Sequence, residues 1–133
     1  MDASFARRYR LTRTDEFSSV FGFRKAIRGT WLMLHYQPRP ENSADARLGL
    51  VIGKKLLKRA VDRNRLKRIL RERFRQRRFG LPAFDLIVRL AVKPKPFDSK
   101  ALSDDFSHLL DRLSRTRSRP VEKANRDSGK TSG

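Results

Sequence analysis

An α+β sandwich, with helices packed on a small central sheet, is what this 133-residue sequence predicts. Three observations lead there. Branched, aromatic and apolar residues gather in three runs of strand length, residues 30–36 (TWLMLHY), 47–53 (RLGLVIG) and 84–92 (FDLIVRLAV). Apolar residues recur at helical spacing in three other segments. The most basic of those segments lies between two of the strand runs, so it is a crossover connection rather than a free arm.

Taken in order, residues 1–12 are basic and show no period. Thr12 or Thr14 is placed to cap a short helix whose first turn carries Asp15 and Glu16, favourable at the positive end of the helix dipole. Phe17, Val20 and Phe21 share one face of it, and Gly22 and Gly29 keep it short. The strand at 30–36 is stopped by Pro38 and Pro40, and a polar loop leads to the strand at 47–53, with which it could pair as a long-looped hairpin. The basic helix runs from about 61 to 79 and stops before Gly80 and Pro82. The strand at 84–92 is broken by Pro94 and Pro96. Asp98 or Ser99 then caps a last helix, in which Leu102, Phe106, Leu109, Leu110 and Leu113 form the cleanest amphipathic stripe of the chain. From Arg117 the residues are polar and without period, so one domain is expected over 1–116 and a disordered basic tail over 117–133.

The formal charge of +19 and pI near 11.6 mean strong self-repulsion unless a polyanion is bound. No cysteine is present, which excludes disulfides, thiolate metal sites and cysteine nucleophiles. No apolar run reaches the roughly 18 residues of a membrane span, and the N-terminus lacks the apolar core of a secretory signal. A soluble, cytoplasmic, nucleic-acid-binding domain without membrane partners is the class these bounds allow.

Residues 54–78 hold thirteen Lys or Arg against two acids, Asp62 and Glu72. Such a run normally forbids compact order, yet Leu66, Ile69, Leu70 and Phe74 recur through it at helical spacing. On a helical wheel Ile69, Leu70 and Phe74 lie within about 80° of Leu66, while Asn64, Arg68, Arg71 and Arg75 lie roughly 140–200° from it. Lys67 and Arg65 flank that outer strip, and Glu72, one turn on from Arg68, is placed to orient it. Guanidinium forks bind phosphate bidentately and stack on bases, which ammonium groups do not. A helix that buries one stripe and presents the other as arginine is suited to lie along a polyanion.

The stretch KRAVDRNRLKRILRE, residues 58–72, resembles the Arg-Asn-Arg signature of the bacterial ribonuclease P protein subunit, following a strand of the type RLGLVIGKK. TRTDEFSSVF near the N-terminus and FDLIVRLAV after the helix extend the resemblance over roughly residues 7–115. It implies a small central sheet packed with three helices, a ribosomal-protein-S5-domain-2-like arrangement whose basic helix makes a left-handed βαβ crossover against the usual right-handed rule. It further implies that Arg63, Asn64, Arg65, Lys67, Arg68 and Arg71 meet a catalytic RNA, with Lys54 and Lys55 extending that patch. The same resemblance implies a second surface, a cleft between the first helix and the sheet holding the 5′ leader of precursor tRNA, with Phe17 and Phe21 at its aromatic positions. Some relatives carry an aromatic where this chain has Leu34. Core packing and base stacking both remain open for Phe17 and Phe21, and one ring can do both.

No protein-based chemistry is visible. Asp104, Asp105 and His108 could be drawn as metal ligands, but a solvated acidic patch explains them, and GLVIGKK has the wrong spacing for a phosphate loop. The expectation is therefore no catalytic residue and no metal ligand in this chain, and the resemblance implies Mg²⁺ held mainly by the RNA subunit, with no protein partner required. On the resemblance, the chain assists that RNA in removing the 5′ leader and lowers the Mg²⁺ requirement. A structural RNA-binding protein, a DNA-binding module and a self-sufficient nuclease are the rival readings.

Overall fold

The computed structural model describes residues 9–40 and 45–118. Its elements are α1 (Thr14–Phe23), β1 (Ala26–Arg28), β2 (Leu32–Pro38), β3 (Arg47–Val51), α2 (Ala60–Arg77), a 3₁₀ turn (Arg78–Gly80), β4 (Phe84–Leu90) and α3 (Ser99–Ser118). The strands form one mixed sheet in the order β1-β2-β4-β3, with β3 and β4 parallel and the other pairs antiparallel. The expected α+β fold of three helices on a small sheet is the one found. The tail expected over 117–133 lies outside the described residues beyond Ser118, as does the loop at 41–44.

The expected hairpin between the strands at 30–36 and 47–53 does not form, because β4 lies between them. Leu86, Ile87 and Val88 of β4 are fully buried and point alternately to both sides, which only an interior strand can satisfy. β3 reaches β4 through α2, the crossover that a parallel pair requires. The short edge strand β1 was not expected. Only Ile27 among its three residues points into the core, too little apolar signal to read as a strand.

Alternation along the strands sorts the sheet into two sides. Leu32 and Leu34 of β2, Leu86, Val88 and Leu90 of β4 and Leu48 of β3 join Leu66, Leu70 and Phe74 of α2 and the predicted apolar stripe of α3 in the main core. On the other side Ile87 packs with Leu11 and Val20 beneath α1, and Phe17 and Val51 close that smaller cluster.

Helix ends differ in detail from expectation. Arg13, not a threonine, is the N-cap of α1, and its backbone N–H donates to the Glu16 carboxylate at 3.1 Å. The acid three residues in thus performs what a capping hydroxyl would. Asp98 does cap α3, accepting from the N–H groups of Lys100 and Ala101. Asp105 corrects the reading of a solvated acidic patch. It is buried and accepts the backbone N–H groups of Thr30, Trp31 and Leu32 at 2.8–2.9 Å, fixing the start of β2 to α3. A Cβ on Gly29 would meet its carboxylate at 2.6 Å, which accounts for the glycine there. Asp104 pairs with Lys100, and His108 is exposed.

Candidate nucleic-acid interface

The core side of α2 is as narrow as its spacing predicts. Leu66, Leu70 and Phe74 are fully buried, and Ile69 is half-buried. Basic residues flank this stripe, and many are tied to the protein itself. Arg73 donates to the Ser103 hydroxyl and Arg77 pairs with Asp111, so both clamp α2 to α3. Arg63, expected at the RNA surface, donates through Nη1 to the carbonyls of Leu57 and Lys58 and holds the loop entering the helix. Arg59 pairs with Asp62, and Arg78 lies over the rings of Tyr9 and Phe79. Glu72 does not orient Arg68. It pairs with Arg75 and Gln76, so the fork of Arg75 is occupied, and that pairing draws the Glu72 carboxyl below its ordinary range.

Among the described residues of this stretch, Lys54, Lys55, Lys58, Arg65, Lys67, Arg68 and Arg71 carry no ion pair or side-chain hydrogen bond. Six of the seven are residues singled out from the sequence. They separate into two groups. Asn64, Arg65 and Arg68 are exposed on the outward side of α2, and Lys54 and Lys55 lie in the turn beyond β3. Lys67 and Arg71 turn instead toward α1. Together with Arg10, Phe17 and Gly49 they line a cleft of about 120 Å³ over β3.

That cleft is electrostatically unbalanced. Burial and the nearby Arg10 charge both push the Arg71 pKa down, so its cation is partly buried beside a like charge. An anion entering the cleft would relieve both. Phe17 forms the opposite wall, and a Cβ on Gly49 would lie 2.6 Å from its ring, so only glycine lets the phenylalanine settle on β3. The ring is therefore packed on one side and half-exposed on the other.

Farther along α1, the exposed Phe21 meets His35 edge-on, with ring centroids 4.7 Å apart. Leu34, the position compared with an aromatic in relatives, is fully buried on the opposite side of the sheet. The ring that faces α1 from β2 is His35, and alternation along β2 was the signal that places it there. Arg89 of β4 lies beside it, reaching His35 Nε2 at 3.5 Å and Met33 Sδ at 3.1 Å. Burial first and Arg89 second hold the His35 pKa below its ordinary value, which favours the neutral ring. The Arg47 fork spans Asp85 bidentately at 2.8 and 3.0 Å and touches Glu16 at 3.2 Å, locking the start of α1 to the sheet. The carboxylates of Glu16, Asp85 and Asp105 are thus committed to arginine and backbone amides. Among the described residues no three His, Asp or Glu side chains gather as a metal cage would need.

A helix tied into a mixed sheet, with unpaired cations outside and a cationic, aromatic-walled cleft beside them, defines an α+β protein with a strongly cationic face. Similarity to known proteins gives the family. A sequence profile described as Ribonuclease P matches residues 5–114. The chain is 53% identical to the ribonuclease P protein component of Azoarcus sp. (strain BH72), over 86% of this chain and 94% of that one. It is 50% identical to that of Aromatoleum aromaticum, over 85% and 93%. The RNase P protein from Thermotoga maritima superposes with a TM-score of 0.67 at 27% identity, covering 78% of this chain and 96% of that one. The Staphylococcus aureus RNase P protein shares the fold, with a TM-score of 0.70 at 24% identity over 78% and 94%. The chain belongs to the bacterial ribonuclease P protein family. Membership ties it to tRNA processing within an endoribonuclease ribonucleoprotein and implies the ribonuclease P RNA as its partner. No described helix is long and apolar enough to cross a membrane.

Proposed function

We propose that this chain binds the catalytic RNA of ribonuclease P and the 5′ leader of precursor tRNA, and that the RNA performs the hydrolysis. The observation that carries the reading is the meeting of Phe17, Lys67 and Arg71 in one cleft beside the unpaired outward strip of α2. Arg65, Arg68, Asn64, Lys54 and Lys55 serve the catalytic RNA through phosphate contacts. The cleft takes the leader. Its cations neutralise the strand's phosphates, and Phe17 and Phe21 offer ring faces to unpaired bases without strong sequence preference. Lys67 and Arg71, assigned from the family motif to the catalytic RNA, serve the leader instead, because they face α1 rather than outward.

Cleavage leaves a mature tRNA with a 5′-phosphate, and Mg²⁺ bound mainly by RNA supplies the metal chemistry. The protein's part is to lower phosphate–phosphate repulsion between the two RNAs as they approach. Fewer ions are then needed for the same screening, which reduces the Mg²⁺ requirement.

The test is discrimination between precursor and mature tRNA by the reconstituted ribonucleoprotein. Phe17→Ala and Arg71→Ala should each weaken precursor binding while leaving mature tRNA nearly unaffected. Phe17→Leu, which keeps the packing on Gly49, controls for loss of the fold. Equal loss for both tRNAs would return Phe17 to the core and remove the leader from the cleft.

A further inference from the structure

Phe79 is the most exposed large apolar residue described, at 85%. It sits in the 3₁₀ turn directly after α2, a position at which an apolar ring contributes nothing to the core. It is nevertheless held. The guanidinium carbon of Arg78 lies 4.2 Å from the Phe79 ring centroid and 4.0 Å from that of Tyr9, which is itself buried. A cation–π contact of this kind orients the exposed ring from a fixed base.

Its place in the fold says what could cover it. Phe79 lies in the turn that ends α2, eleven residues beyond Arg68 and four beyond Arg75, roughly 16 Å from Arg68 if the helical rise is carried on to it. It thus stands just past the helix whose outward side carries the unpaired Arg65 and Arg68, with the Arg75–Glu72 pair between them. A polyanion lying along that side reaches the ring, and a base unstacked from such a strand is the flat apolar partner that an oriented aromatic accepts. Another protein would have to dock through a surface this basic.

We propose that Phe79, backed by Arg78, is a stacking platform for one unpaired base of the RNA bound along α2. This rests on the reading of α2 as an RNA-binding helix and adds a base contact that the phosphate-binding residues do not supply. The base could come from the catalytic RNA or from precursor tRNA, and the two arms of the test separate them.

The full chain would be titrated against catalytic RNA alone, and the assembled ribonucleoprotein against precursor tRNA. Phe79→Ala should weaken binding about fivefold or more in one arm, with the salt dependence unchanged because no phosphate contact is lost. Phe79→Trp should restore binding, and Phe79→Leu should not. The arm that responds identifies the RNA that supplies the base. Arg68→Ala is measured alongside. If it weakens binding while Phe79→Ala changes neither arm, the platform is overturned and the helix reading stands. If neither variant has an effect, both are overturned. Leucine substituting fully for phenylalanine would also overturn stacking.

Discussion

On the α2–α3 side of the sheet, Leu32, Leu34, Leu86, Leu66, Leu70, Phe74, Phe106, Leu110 and Leu113 are fully buried, and the arginines around them are bound to Ser103 and Asp111. On the α1 side a single ten-residue helix covers the sheet, its contacts running from Arg47 and Gln37 to Gly49, Ile87 and His35. What it leaves half-covered is cationic and aromatic. The first side shows how a chain of charge +19 folds at all. It uses some of its arginines as struts and seals the core behind them. The second leaves Lys67 and Arg71 without an ion pair or side-chain hydrogen bond beside a cleft.

The contrast can be broken from either side. Phe74→Ala should cost about 3–5 kcal/mol of stability, read by chemical denaturation, with no change in the salt dependence of RNA binding by the folded fraction. A loss below about 1 kcal/mol would mean that the α2–α3 core is not what anchors the basic helix. Asp105→Ala should come next, at about 3 kcal/mol, because three backbone N–H groups lose their acceptor together. Asp104→Ala, on the exposed side of the same helix, should stay within roughly 0.5 kcal/mol.

The arginines sharpen the contrast further. Arg68→Ala with Arg71→Ala should make the salt dependence shallower by about one unit of slope for catalytic RNA, through Arg68, and by about one for precursor tRNA, through Arg71, and leave Tm nearly unchanged. Arg73→Ala with Arg77→Ala should do the opposite, lowering Tm with little change in slope. Equal effects of the two pairs would erase the division between struts and ligands.

The smallest expected effect is on pH. His35 titrates below its ordinary value when folded, so the unfolded chain takes up its proton first as pH falls. Its contribution is therefore present above about pH 6.5 and is lost progressively below it. His35→Gln should flatten that part of the stability–pH curve, and a steeper curve in the variant would contradict the assignment.

Much of this was legible in the sequence because periodicity reports burial. The stripes of α2 and α3, the strand at β4 and the stop at Gly80 all follow from spacing alone. Strand order was not legible, since alternation in residues 30–36 and 47–53 is equally compatible with pairing each other or with flanking β4. The three-residue β1 is set by its register with β2, a long-range property. In the basic run the sequence identifies which residues are charged but not which are already partnered. Arg63, Arg73 and Arg77 differ from Arg65 and Arg68 only in what lies across from them, and Ser103 and Asp111 are 30 and 34 residues from their partners in the chain. Arg10 entered the cleft for the same reason, through the bridge that pairs it with Leu48.

The most direct measurement is a reconstitution. The full chain would be mixed with a bacterial ribonuclease P RNA, and cleavage of a 5′-extended precursor tRNA followed at a Mg²⁺ concentration where the RNA alone is nearly silent. The expected result is correct 5′ cleavage that neither component gives alone, lost in the Arg68→Ala, Arg71→Ala double variant and regained at high Mg²⁺. Tight RNA binding without any gain in cleavage would contradict it, leaving the unpaired cations of α2 as a phosphate-binding surface with no part in the reaction.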